Sequence, residues 1–232
     1  MLTVSGLNQY YGESHTLWDM DLELKEGSCL CLMGRNGVGK TTLLKSIMGL
    51  QPVKQGTILF DGKHELSELG PEQRARIGIG YVPQGREIFP QLTVEENLKV
   101  GLSARRDKLR KIPNHIFELF PVLDEMRSRR GGDLSGGQQQ QLAIGRALVL
   151  EPKLLILDEP GEGIQPNIVQ LIGDVIMQLN EEQGLTVLLV EQKLPFARRV
   201  GQEFILMDRG RNVAKGEMAG LDEKLIKQYL TV

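Results

Sequence analysis

Gly34, Arg35, Asn36, Gly37, Val38, Gly39, Lys40 and Thr41 fit the pattern G-x-x-x-x-G-K-[ST], after the apolar run Cys29 to Met33 and ahead of a segment with helical spacing. Residues of these types in this order handle phosphate. Glycines let backbone amides curl around phosphate oxygens, a helix start offers unpaired N–H groups at its positive dipole end, and the Lys40 ammonium reaches the β- and γ-phosphates. The Thr41 hydroxyl is expected on Mg²⁺, and Thr42 near the α-phosphate. Further on, Leu154-Leu155-Ile156-Leu157-Asp158-Glu159 is an apolar run ending in two carboxylates. At the carboxyl end of a buried strand, where an open α/β sheet places ligands, Asp158 would serve the Mg²⁺ shell through water. Glu159 would orient or deprotonate the attacking water of an in-line transfer. Alone, a strand ending Asp-Glu is an ordinary solvated terminus; the phosphate loop upstream gives it chemistry. Between these two elements, Ser135-Gly136-Gly137-Gln138 sets a serine hydroxyl and glycine amides at another helix start, a second anion site.

The elements that must hold these residues alternate between strand and helix patterns, which implies an α/β fold with a largely parallel sheet. Met20 to Leu24 alternates with period two and reads as a half-exposed antiparallel strand. Ser28 to Met33, Leu154 to Asp158 and Thr186 to Glu191 read as strands buried on both faces. Helices are expected over Thr41 to Gly49, Gly137 to Leu150 and Asn167 to Asn180, the last starting just after Pro166. From Gln84 to about Arg130 strand signals vanish, and helices broken at Pro90, Pro113 and Pro121 suggest a helical insert. Phe204 to Ala214 reads as two strands around an Arg-Gly turn, followed by a short helix ending near Leu230. The expected organisation is one domain over 1–232, with a core lobe of about 1–84 and 150–217, a helical subdomain of about 85–149, and a terminal helix over 218–231.

Composition narrows the partners. The chain has 232 residues and a formal net charge of −2, so no overall basic field points to nucleic acid or anionic lipid. Its longest apolar run, Cys29 to Met33, falls far short of the roughly 18 to 20 residues of a membrane helix, and the start lacks a signal-peptide pattern, so the cytoplasm is expected. Cys29 and Cys31 would share one face of a strand as small core residues, and His15, His64 and His115 have no metal-ligand spacing. The run Arg105 to Lys111 lacks interleaved aromatics and is expected to be a solvated helical face rather than a nucleic-acid site.

Leu134-Ser135-Gly136-Gly137-Gln138, between the phosphate loop and Asp158-Glu159, resembles the signature sequence of ATP-binding-cassette (ABC) proteins, and the resemblance runs from about Leu2 to Gly216. It implies a P-loop NTPase (RecA-like) core with a mostly parallel sheet, an antiparallel β subdomain and an α-helical subdomain insert. It implies ATP and Mg²⁺ as cofactors and a head-to-tail dimer with a second ATPase subunit, each phosphate loop completed by the partner's signature. By the same resemblance, Tyr11 (or else Tyr10) stacks on adenine, Gln84 contacts Mg²⁺ and water, and Gln192 stands where a histidine usually meets the γ-phosphate. A glutamine donates a hydrogen bond there but carries no positive charge. Gly161 to Gln165 is the expected crossing loop, with Gln165 where an aspartate is usual. Gly85 to Leu98 and Val190-Glu191-Gln192 resemble the importer branch for branched-chain amino acids, amides and urea. Gln138 to Leu142 with Glu162 to Pro166 resemble the second ATPase of urea importers. The implied setting is peripheral, on the inner face of the cell membrane, with transmembrane permease subunits as partners and a substrate-binding protein as an indirect one. The alternative is an ABC-type ATPase acting on ribosomes or DNA, without transport.

Overall fold

The computed structural model describes residues 1–230. In chain order its elements are β1 (Leu2–Tyr11), β2 (Ser14–Leu24), β3 (Cys29–Met33), α1 (Lys40–Ile47), β4 (Gln55–Phe60), β5 (His64–Glu65), α2 (Pro71–Arg76) and β6 (Ile79–Val82). There follow α3 (Val94–Leu102), α4 (Asn114–Leu119), α5 (Pro121–Glu125), α6 (Gly136–Leu148), β7 (Leu154–Asp158), α7 (Pro166–Gln183) and β8 (Thr186–Val190). The chain ends with α8 (Leu194–Val200), β9 (Glu203–Asp208), β10 (Arg211–Glu217) and α9 (Glu223–Tyr229).

Two sheets organise these elements. One has the order β10-β9-β3-β8-β7-β6, with β10 antiparallel and every other pairing parallel. The other is antiparallel, in the order β2-β1-β4-β5. Side chains alternate across a strand, and here the alternation divides the core in two. Cys29, Cys31, Met33, Leu155, Leu157, Val187 and Leu189 pack toward the α3 to α8 side. Leu30, Leu32, Leu154, Ile156, Leu188 and Val190 pack toward α1 and the second sheet. Burying a leucine contributes up to about 1.5 to 3 kcal/mol, so these strands, buried on both faces, form the frame on which the loops at their carboxyl ends are mounted. No helix among the described residues is long and apolar enough to cross a membrane.

The α/β class and the mixture of parallel and antiparallel strands agree with the sequence reading. Met20 to Leu24 is only the end of an 11-residue strand, and its partner β1 gave no readable alternation. Register shifts between Val4 and Leu7, Leu7 and Gln9, and Gln9 and Tyr10 break the period of two. Pro113 and Pro121 initiate α4 and α5 rather than break a helix, because an N-terminal proline gives up no helical bond. Arg105 to Lys111 is not a helical face: the segment is turns and irregular chain, and Arg105 is buried between Asp107 and Glu151 while donating to the Val149 carbonyl. Nor is 218–231 a single helix. A 3₁₀ turn spans Met218–Gly220, α9 starts behind the Asp222 cap, and position 231 lies outside the described residues.

Candidate active site

The phosphate loop joins β3 to α1 at the carboxyl edge of the parallel sheet. Gly39, the residue before α1, has φ 106° and supplies no side-chain cap. The first amides of α1 therefore have no intrahelical acceptor and face the loop, the arrangement that receives an anion. A Cβ on Gly39 would lie 2.9 Å from Leu17 Cδ2, and one on Gly34 2.5 Å from the Met207 carbonyl. Gly39→Ala is expected to destabilise the chain by about 1 to 3 kcal/mol, from positive φ and the clash, and to weaken nucleotide binding. Thermal melting with and without ATP reads both effects.

Lys40 is 5% exposed, and its Nζ donates to the carbonyls of Gly34 at 2.8 Å and Arg35 at 2.9 Å. Burial lowers its pKa, while the carboxylates of Glu159, Asp158 and Glu191 oppose that shift. Glu159 Oε1 stands 3.8 Å from the ammonium. Glu159 itself has φ 50°, a left-handed conformation that costs a side-chain-bearing residue about 1 to 2 kcal/mol and turns the carboxylate off the strand path into the site. Its backbone is held by a bond from its N–H to the Val190 carbonyl at 3.0 Å. Gln192 closes the group: its Nε2 donates to Asn36 Oδ1 at 2.6 Å and to Glu159 Oε1.

Asp158 shares the side-chain parity of Leu154 and Ile156, so it projects toward α1 at the end where Thr41 lies. It is 1% exposed, and neither carboxylate oxygen has a hydrogen-bond partner. Burial pushes its pKa up to about 6; the Thr41 hydroxyl pulls the other way without reaching hydrogen-bond geometry. A buried carboxylate with two unused oxygens beside a threonine hydroxyl suits a hard divalent cation, so the residues present fit Mg²⁺. Because the folded pKa lies above the unfolded value of 3.8, the group's stability contribution is intact below about pH 4 and is lost as pH rises through about 6. The loss is about 2 to 3 kcal/mol. Asp158→Asn is expected to raise the melting temperature of the nucleotide-free chain at pH 7 and to remove that fall between pH 4 and 6, measured by melting across pH.

The remaining residues expected from the sequence lie around this centre. Gln84 follows β6 and donates from Nε2 to Glu162 Oε2 at 3.0 Å, three residues past Glu159. Tyr11 ends β1 with an exposed ring. Tyr10 on the opposite side of the strand is occupied, stacked on His15 at 4.0 Å under Lys54. Ser135 caps α6, accepting from Gln138 N–H, while Gln138 Oε1 accepts from Ser135 N–H at 2.9 Å. This turn lines an open hollow of about 480 Å³ with Gly163, Ile164, Gln165 and Ile168, and no phosphate-loop residue lines it. The fold thus gathers Gly34 to Thr42, Asp158, Glu159 and Gln192, and sets Ser135 to Gln138 on a separate surface. No role in the site was read from the sequence for Glu191 or Lys193. A carboxylate directly after four buried apolar residues, as at Asp158, was the available signal for Glu191.

Comparison with known proteins agrees with this geometry. The family model of the ABC transporter matches residues 17–162, more than half of the chain. The chain belongs to the ABC transporter family. As an ABC ATPase it is similar to the high-affinity branched-chain amino acid transport ATP-binding protein BraG of Pseudomonas aeruginosa, with 41% identity over 222 residues, covering 95% of this chain and 94% of that one. It is 38% identical over 217 residues to the probable branched-chain amino acid transport ATP-binding protein LivF of Archaeoglobus fulgidus, covering 93% and 92%. Its fold matches a dimeric post-hydrolysis state of the ATP-binding cassette MJ0796 bound to ADP and Pi, with TM-score 0.83, 26% identity and coverage of 95% and 100%.

Proposed function

We propose that this ABC ATPase powers an importer for branched-chain amino acids or a small related amide such as urea. The observation that carries the reading is the convergence of Lys40, Asp158, Glu159 and Gln192 at the carboxyl edge of the parallel sheet, in a chain similar over nearly its whole length to branched-chain amino acid transport subunits. Similarity to BraG and LivF supports amino-acid import. The segments Gln138 to Leu142 and Glu162 to Pro166 keep urea as the second reading. The named relatives lend no support to action on ribosomes or DNA.

In the proposed reaction, the amides from Gly37 to Thr42 and the Lys40 ammonium cradle the β- and γ-phosphates, and Tyr11 offers its ring to adenine. Thr41, Asp158 and Gln84 would hold Mg²⁺, which when bound neutralises phosphate charge. Gln84 would offer its Oε1, since its contact with Glu162 uses only Nε2. Glu159 aligns the attacking water and accepts its proton, and Gln192 donates toward the γ-phosphate from the position where it now meets Asn36. Ser135 to Gln138 of a second ATPase subunit completes the site across the dimer. We assign the helical subdomain, about 85–149, to contact with transmembrane permeases and about 1–84 and 150–217 to a core lobe, with the protein working on the inner face of the membrane.

Vesicles carrying the chain with its co-purified permease, loaded with ATP and offered labelled leucine or labelled urea in the presence of the substrate-binding protein, test the assignment. ATP-dependent uptake of leucine supports the first reading and of urea the second. ATP turnover with uptake of neither counts against both.

A further inference from the structure

Three consecutive residues leaving β8 hold two loops of the nucleotide site at once. Glu191 is 3% exposed, and its Oε1 accepts from the backbone amides of Gln192 and Lys193, both at 2.8 Å. Two amides on one carboxylate oxygen fix the peptide planes of the turn, so the Gln192 side chain enters the site from a set origin and reaches Asn36 and Glu159. Lys193 leaves the same turn in the other direction. Its Nζ donates to the Gly161 carbonyl at 2.9 Å, two residues beyond Glu159. The fit is close: a Cβ on Gly161 would stand 3.4 Å from Glu191 Oε2. Apart from the Glu159 N–H to the Val190 carbonyl, these side chains are what the β8 exit offers to the loop after β7.

We propose that Glu191 and Lys193 are positioning residues for the hydrolytic step. Glu191 sets Gln192 across Glu159, and Lys193 ties that turn to Gly161, so the loops on either side of the attacking water move as one body. A displacement of the Gly161 to Gln165 segment is then passed to Gln192. Neither residue touches substrate. The inference rests on the placement of Glu159 and Gln192 at the γ-phosphate, and the experiment separates the two claims.

The readouts are kcat, ATP dissociation constant with a fluorescent analogue, and melting temperature, for Glu191→Ala, Glu191→Gln, Lys193→Met and Gln192→Ala, and for the first and third of these combined with Gln192→Ala. A glutamine at 191 keeps an oxygen that accepts both amides, so Glu191→Gln is expected to stay within about threefold of the wild-type kcat. Glu191→Ala is expected to lose about 30- to 100-fold in kcat with ATP affinity within about threefold, since a misplacement of about 1 Å costs that order of rate. Lys193→Met is expected to lose about tenfold. In the Gln192→Ala background both losses should shrink to threefold or less, because each acts through Gln192. Equal costs in both backgrounds would make the pair merely structural and overturn the proposal. So would a wild-type kcat in Lys193→Met, whose exposed side chain can be replaced even where Glu191→Ala fails to fold. A wild-type kcat in Gln192→Ala defeats both the proposal and the placement of Gln192, whereas Glu159→Gln turning over normally removes the site reading itself.

Discussion

Glu159→Gln should abolish turnover, with kcat falling about 10³-fold, while ATP still binds. Positioned general bases contribute about 10²- to 10⁴-fold, and Glu159 has the geometry for that role. Its backbone is held at φ 50°, its carboxylate lies beside the Lys40 ammonium, and Gln192 donates to it. A glutamine has nearly the same shape and can still accept from Gln192, but it takes no proton from water. The substitution also removes a negative charge where the γ-phosphate must sit, so affinity should hold or rise. Phosphate release at saturating ATP and fluorescent-nucleotide binding measure the two quantities. Unchanged phosphate release would take Glu159 out of the mechanism.

Lys40→Met should instead act on binding, weakening ATP about 100-fold. The ammonium has three N–H groups, of which the Gly34 and Arg35 carbonyls use two, leaving one for phosphate oxygen. Charge-assisted bonds of this kind contribute about 1.5 to 3 kcal/mol, here in a site where the lysine is nearly inaccessible to water. Methionine fills the space without the charge. The two loop carbonyls lose their donor, so a modest fall in melting temperature should accompany the change. An ATP dissociation constant within threefold of wild type would contradict the assignment.

What the sequence made legible follows from where local pattern and tertiary environment agree. Cys29 to Met33 and Leu154 to Asp158 are short apolar runs because both faces of the parallel sheet are covered, and each carries its functional loop directly at its carboxyl end. The phosphate loop was readable because glycine is required where φ is positive and backbone approaches closely. β1 was hidden by its irregular register, and α8 by its shortness after a strand. The buried Arg105 looked like surface charge because its partners, Asp107 and Glu151, include one far along the chain. For the same reason Gln84 gave no hint of Glu162, nor Lys193 of the Gly161 carbonyl. Contacts between loops that follow different strands are set by the sheet order, which no local spacing encodes.

The central claim is that each phosphate loop is completed by Ser135 to Gln138 of a second subunit, and sedimentation of Glu159→Gln with ATP tests it most directly. The chain should sediment as a dimer with ATP and as a monomer without it, and adding Ser135→Arg should return it to monomer while ATP remains bound. A strictly monomeric Glu159→Gln protein saturated with ATP, together with an unsubstituted protein whose hydrolysis rate per chain does not change with protein concentration, would contradict the account.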